Sequence, residues 1–86
     1  MQFDYSSKFK KKIKKIPLDI SNKFKERVKL FEKDKFNPIL NNHKLHGEYE
    51  GSSSINITGN FRAIFKYKGE DYILFSNIGT HPELYE

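Results

Sequence analysis

Apolar residues recur along this chain in two different rhythms, and the change of rhythm divides it into a helical first half and a strand-like second half. Gln2 to Tyr5 alternates polar and aromatic with Phe3 and Tyr5 on one face, which predicts a short edge strand. From Ser6 the spacing lengthens. Phe9, Ile13 and Ile16 recur at helical intervals, the stripe of an amphipathic helix with Ser6 or Ser7 as its N-cap. Pro17 disfavours helical backbone at the residue before it, so this helix is expected to end at about Ile16. A second stripe, Ile20, Phe24, Val28 and Phe31, has Glu and Lys on its outer positions and predicts a longer helix from about Leu18 to Asp34. The two helices form an antiparallel hairpin turning at Pro17.

Lys35 to Asn42, with Asn37, Pro38, Asn41 and Asn42, has the composition of a loop. Alternation then takes over. Ile55 and Ile57 share one face of a strand from Ser54 to Thr58, and Gly59-Asn60 provides a turn. Phe61, Ala63, Phe65 and Tyr67 share a face of the next strand while Arg62, Ile64 and Lys66 take the opposite, open one; Lys68 to Asp71 turns the chain into a last strand, Tyr72 to Ile78. The order β-α-α-β-β-β predicts an α+β fold, a helical hairpin packed on one face of a largely antiparallel sheet.

At 86 residues the chain is one small domain, residues 1–86, and its 8 Phe and 5 Tyr supply a single core. The longest apolar run, Tyr72 to Phe75, is far too short to span a bilayer, and the N-terminus has no apolar leader, so a cytoplasmic protein without membrane association is expected. Zero cysteines exclude disulfides, thiolate metal sites and a cysteine nucleophile. Charge is unevenly spread: residues 1–35 carry 12 Lys/Arg against 5 Asp/Glu, and residues 36–86 carry 4 against 6. The cationic first helix, including Lys10, Lys11, Lys14 and Lys15, therefore reads either as a phosphate-binding face or as a solvated lysine surface.

Arg62 lies inside the best strand, where a fixed guanidinium suits bidentate phosphate recognition; a cross-strand salt bridge is the alternative. His43, His46 and His81 all fall in loops or at element ends, off every apolar stripe, and imidazole is the natural proton carrier near neutral pH. His43 and His46 also allow a zinc reading, but no helical metal-binding spacing accompanies them, so no metal and no cofactor are expected. His46 is read as an exposed surface residue.

The segments His43-x-Leu45-x-Gly47, Gly51, Ser54-Ile55-Asn56-Ile57, Gly59-Asn60-Phe61-Arg62-Ala63-Ile64-Phe65 and Ile78-Gly79-Thr80-His81-Pro82-Glu83-Leu84-Tyr85 together resemble the RelE/ParE superfamily of bacterial toxins, most closely its YafQ-like branch. The resemblance covers nearly the whole chain. It implies the toxin of a type II toxin-antitoxin system: a ribosome-dependent endoribonuclease that cuts mRNA in the A site and is neutralised by a cognate antitoxin protein. By position it implies catalytic roles for His43, His81 and Tyr85, and for Arg62 by analogy with RelE-type members. Asn56 and Asn60 stand where the branch usually has a histidine and an aspartate, and neither can exchange a proton near neutral pH. Lys44 and Lys66 are lesser electrostatic candidates beside the RNA. Two alternatives stay open within the superfamily, a ParE-like inhibitor of DNA gyrase and a degenerate toxin that only binds its antitoxin.

Overall fold

The computed structural model describes residues 1–85, which form β1 (Gln2–Tyr5), α1 (Ser7–Ile13), α2 (Leu18–Lys33), β2 (His43–Lys44), β3 (Ser53–Asn56), β4 (Phe61–Gly69), β5 (Tyr72–Thr80) and α3 (His81–Tyr85), with 3₁₀ turns at Pro38–Leu40 and Gly47–Tyr49. The strands join in one sheet in the order β1-β5-β4-β3-β2, antiparallel except for the β1–β5 pair. The α+β architecture and the helical hairpin agree with the alternation and the stripes. Two elements go beyond the expected order, the two-residue strand β2 and the terminal helix α3. Both are too short for periodicity to announce them.

Local chemistry sets the helix ends. The Ser6 hydroxyl caps α1 by accepting from the Phe9 N–H at 3.1 Å. The regular helix stops at Ile13, three residues before the expected end, because Pro17 bars Ile16 from helical geometry and the last turn tightens into a bond from the Lys15 N–H to the Lys12 carbonyl. Ile16 still packs against the core. The Pro17 carbonyl then accepts from Ile20 and Ser21 to start α2.

The main core lies between the helices and one face of the sheet. Phe9, Phe24 and Phe31 from the helices meet Ile55, Ile57, Ala63, Phe65, Ile73, Phe75 and Ile78 from the second half of the chain, and Leu40 closes one end. The opposite face is not open. Ile64 is fully buried there in a second cluster with Leu45 and Leu84, flanked by Tyr49 and Tyr85. Alternation along β4 puts Ile64 on the correct face; what covers that face is α3 together with the β2–β3 connection. β1 pairs only with residues 72–75 of β5, so on that edge the last residues of β5 run alongside α1 instead of a strand.

Candidate functional site

Strand register aligns residues on the second face in two rows across the sheet. One row runs His43, Ser54, Ile64, Asn77, and the next runs Asn56, Arg62, Gly79. His43, Asn56 and Arg62 therefore share a face although they come from three different strands. Ser54 Oγ and Asn56 Oδ1 are buried on this face without a hydrogen-bond partner among the described residues.

The helix α3 brings the other candidates to the same face. Thr80-His81-Pro82-Glu83 forms a reciprocal capping box: the Glu83 carboxylate accepts from the Thr80 N–H at 2.9 Å, and the Thr80 hydroxyl accepts from the Glu83 N–H at 3.3 Å. The Thr80 N–H and hydroxyl hold the Glu83 carboxyl below its ordinary pKa. His81 is thus the first residue of the helix, and its N–H donates to the Asn60 carbonyl in the β3–β4 turn at 3.0 Å, which sets α3 beside Arg62's end of the sheet. One turn on, Tyr85 packs against the His81 ring with 4.7 Å between centroids.

Tyr49, which the sequence does not single out, completes the support. Its ring meets Tyr85 edge-on at 5.8 Å, and its hydroxyl donates to the Leu84 carbonyl at 2.8 Å, one of the carbonyls a helix end leaves unpaired. Burial pushes the Tyr49 phenol up, so it remains a neutral donor. The connection that presents it closes with a bond from the Ser52 N–H to the Tyr49 carbonyl, and Gly51 takes the positive φ of +88° that this closure requires. A lone tyrosine between Gly47 and Gly51 is the available signal.

His43 is exposed on β2 with Nδ1 2.7 Å from the Asn41 carbonyl. A carbonyl accepts only, so Nδ1 is the donor in this contact, and Nε2 is left outside it. His81 is also exposed. His46 is exposed and lies 4.0 Å from Glu50, away from the two rows. Lys66 shares the face of Arg62, whereas Lys44 falls in the row of Ser53 and Phe65 on the helix side of the sheet. Lys10, Lys11, Lys14 and Lys15 are exposed on and just beyond α1. Among the described residues no three His, Asp or Glu side chains group as metal ligands, and no helix is long and apolar enough to cross a membrane.

Arg62 is half-buried and makes no ion pair among the described residues, unlike the salt bridge that its sequence context allows. Its Nη1 instead donates to the carbonyls of Thr58 and Gly59 at 3.0 Å and of Phe61 at 3.3 Å, holding the β3–β4 turn. Lysine keeps the charge and has donors enough, but its ammonium sits about one bond nearer the backbone than Nη1 and falls short of the point where the three carbonyls converge. Arg62→Lys is accordingly expected to lower stability by about 1–2 kcal/mol, seen as a lower urea midpoint with an unchanged slope. An unchanged midpoint would show that the turn does not depend on the guanidinium.

A separate groove of about 290 Å³ opens between α1 and α2, lined by Tyr5, Phe9, Ile13 and Phe24 with Lys10 and Lys25 at its rim. Its walls are apolar and its rim is cationic.

Several solved structures with this architecture are toxins. YafQ from E. coli strain BL21(DE3) superposes with a TM-score of 0.82 at 20% identity, covering 99% of this chain and 98% of that one. YafQ in the E. coli DinJ-YafQ toxin-antitoxin complex gives 0.79 at 21%, covering 99% and 97%. A YoeB/ParE toxin from Agrobacterium tumefaciens gives 0.77 at 14%, covering 94% and 99%. The fold is the one shared by these YafQ and YoeB/ParE structures. No match is found among curated protein sequences. Residues 1–86 match the family model described as the bacterial toxin of type II toxin-antitoxin system, YafQ, and the chain belongs to that family.

Proposed function

We propose that this toxin cleaves RNA by attack of a ribose 2′-OH on the adjacent phosphate, acting on mRNA in the ribosomal A site, and that a cognate antitoxin protein neutralises it. The observation that carries the reading is the gathering of His43, Arg62, His81 and Tyr85, from β2, β4 and α3, on one face of the sheet.

The reaction needs a base, an acid and a cation. His43 suits the base, since its Nε2 lone pair is free to take the 2′-OH proton while Asn41 holds the other edge of the ring. His81 is assigned as the acid that protonates the departing 5′-oxygen. Arg62 supplies positive charge for the phosphate oxygens through the N–H groups that the turn does not use, with Lys66 adding to the field. Tyr85, held between His81 and Tyr49, offers a ring on which a nucleotide base stacks. Asn56 and Asn60 contribute no proton in this scheme.

Two assays run side by side test the reading. Purified protein added to a translating extract is expected to leave mRNA cut within codons and plasmid supercoiling by DNA gyrase untouched. Loss of supercoiling with intact mRNA would establish the gyrase inhibitor, and neither effect the degenerate toxin.

The lysines of α1 serve binding in this reading. Exchanging Lys10, Lys11, Lys14 and Lys15 for Gln is expected to weaken ribosome binding and flatten its log–log salt dependence by roughly 0.7–0.9 for each phosphate no longer neutralised, with turnover of the bound RNA preserved. An unchanged salt slope would mean that this lysine face is only solvated. The groove between α1 and α2 suits an acidic antitoxin segment with an aromatic or aliphatic anchor, because its apolar walls and lysine rim match such a partner.

A further inference from the structure

Lys12 differs from its neighbours on α1. Where Lys10, Lys11, Lys14 and Lys15 are exposed, Lys12 is half-buried and reaches the stretch of β5 that has β4 on one edge and no strand on the other. Its Nζ donates to Oδ1 of the buried Asn77 at 2.8 Å. It ends over Gly79, where a Cβ would lie 3.1 Å from Nζ, 3.5 Å from Glu83 Oε1 and 3.5 Å from Leu84 Cδ2. A Cβ at position 79 would be in ordinary contact with Glu83 and Leu84 and would shift only the ammonium, by a few tenths of an ångström, so the glycine is what lets Lys12 lie this close to the strand. Asn77 Oδ1 also accepts from the Ile78 N–H at 2.9 Å, which fixes the amide toward Lys12.

We propose that Lys12 is a positioning residue for the catalytic face: its ammonium, hydrogen-bonded to Asn77 above Gly79 and facing the Glu83 carboxylate without an ion-pair contact, steadies the capping box that starts α3 and thereby helps set His81 and Tyr85. The inference rests on the RNA-cleavage reading for its consequence, but the latch itself belongs to the free protein. The two ends of the device agree electrostatically. Burial lowers the Lys12 pKa, and the charge of Glu83 works against that; after the Thr80 bonds, Lys12 in turn helps keep Glu83 ionised. Removing the ammonium leaves the Asn77 oxygen without its lysine donor and takes a cation from beside the Glu83 carboxylate, whose field adds to the hold that the Thr80–Glu83 bonds and the His81–Asn60 bond give the first turn of the five-residue α3.

The test compares Lys12→Met, Glu83→Gln and their double variant with Lys29→Met on the exposed face of α2, in the whole free protein and in the cleavage reaction. In the free protein, amide exchange at Leu84 and Tyr85 is expected to speed up about two- to fivefold in Lys12→Met and Glu83→Gln, the size of a lost surface charge interaction, since a glutamine keeps the bonds of the capping box. The His81 and Tyr85 ring resonances should shift in both, and the double variant should go no further than either single one. Lys29→Met should change none of these. In the cleavage reaction kcat should fall with the same variants while the salt slope of ribosome binding stays at its wild-type value, which it could not do if Lys12 neutralised a phosphate. Glu83→Gln leaves α1 untouched and so keeps the test meaningful if Lys12→Met folds poorly. Exchange in both Lys12→Met and Glu83→Gln equal to that of Lys29→Met would overturn the latch, as would additive effects or a salt slope reduced by Lys12→Met. Faster exchange together with wild-type protein that leaves RNA uncut would uphold the latch and sink the nuclease.

Discussion

His81→Ala is expected to lower the rate of RNA cleavage by about 10²–10⁴-fold, the range typical of removing a general acid or base. The same variant should melt within about 0.5 kcal/mol of wild type, as exposed side chains usually allow. The dissociation follows from where His81 sits. Its backbone N–H, which bonds the Asn60 carbonyl, survives the substitution, and the capping box is made by Thr80 and Glu83. What disappears is an exposed imidazole resting on Tyr85. Single-turnover cleavage on programmed ribosomes and a thermal melt check the two halves separately. A folded variant that cuts at the wild-type rate would remove His81 from the chemistry and move the acid to a solvent molecule or a lysine.

Phe75→Ala should do the reverse, losing stability first and activity only as a result. Phe75 is fully buried in β5 and its ring centroid lies 5.1 Å from Phe24, 5.8 Å from each of Tyr5, Phe9 and Phe65, and 6.1 Å from Phe3. Its ring joins β1, both helices of the hairpin and β4. Truncating a phenylalanine of this kind costs about 3–5 kcal/mol through lost transfer energy and the cavity left behind. A domain of this size has roughly 5–10 kcal/mol in total. The urea midpoint should therefore fall by about half, and toxicity should fall with the folded population. A midpoint near that of wild type would mean that the aromatic cluster collapses around the gap, contrary to its close packing.

The contrast between these residues also explains what the sequence can and cannot disclose. The stripes Phe9-Ile13-Ile16 and Ile20-Phe24-Val28-Phe31 identify the buried side of each helix because burial of a helix face must repeat with its turn. Alternation separates Phe61, Ala63 and Phe65 from Arg62 and Ile64 for the same reason. Which elements cover the second face is not legible, since Ile64, Leu45 and Leu84 are far apart in sequence and no periodicity links them. His43 lies on a strand of two residues and His81 on a helix of five, both below the length at which a pattern declares itself. The capping box Thr80-His81-Pro82-Glu83 is readable and turns the expected strand end into a helix start. Alternation puts Arg62 on the correct face, but its bonds to three carbonyls depend on the path of the β3–β4 turn, which composition does not specify. The latch at Lys12 lies hidden in a run of lysines that look alike until the edge of β5 singles one out.

The ends of the RNA products test the central claim most directly. Ribosomes programmed with a defined mRNA, treated with the wild-type protein and analysed for end groups, should yield a 5′-hydroxyl on the downstream fragment and a 2′,3′-cyclic phosphate or its hydrolysis product on the upstream one, because the 2′-oxygen attacks phosphorus and the 5′-oxygen leaves with the proton delivered by His81. Intact mRNA under conditions where the A site is engaged, or a downstream fragment bearing a 5′-phosphate, would contradict it.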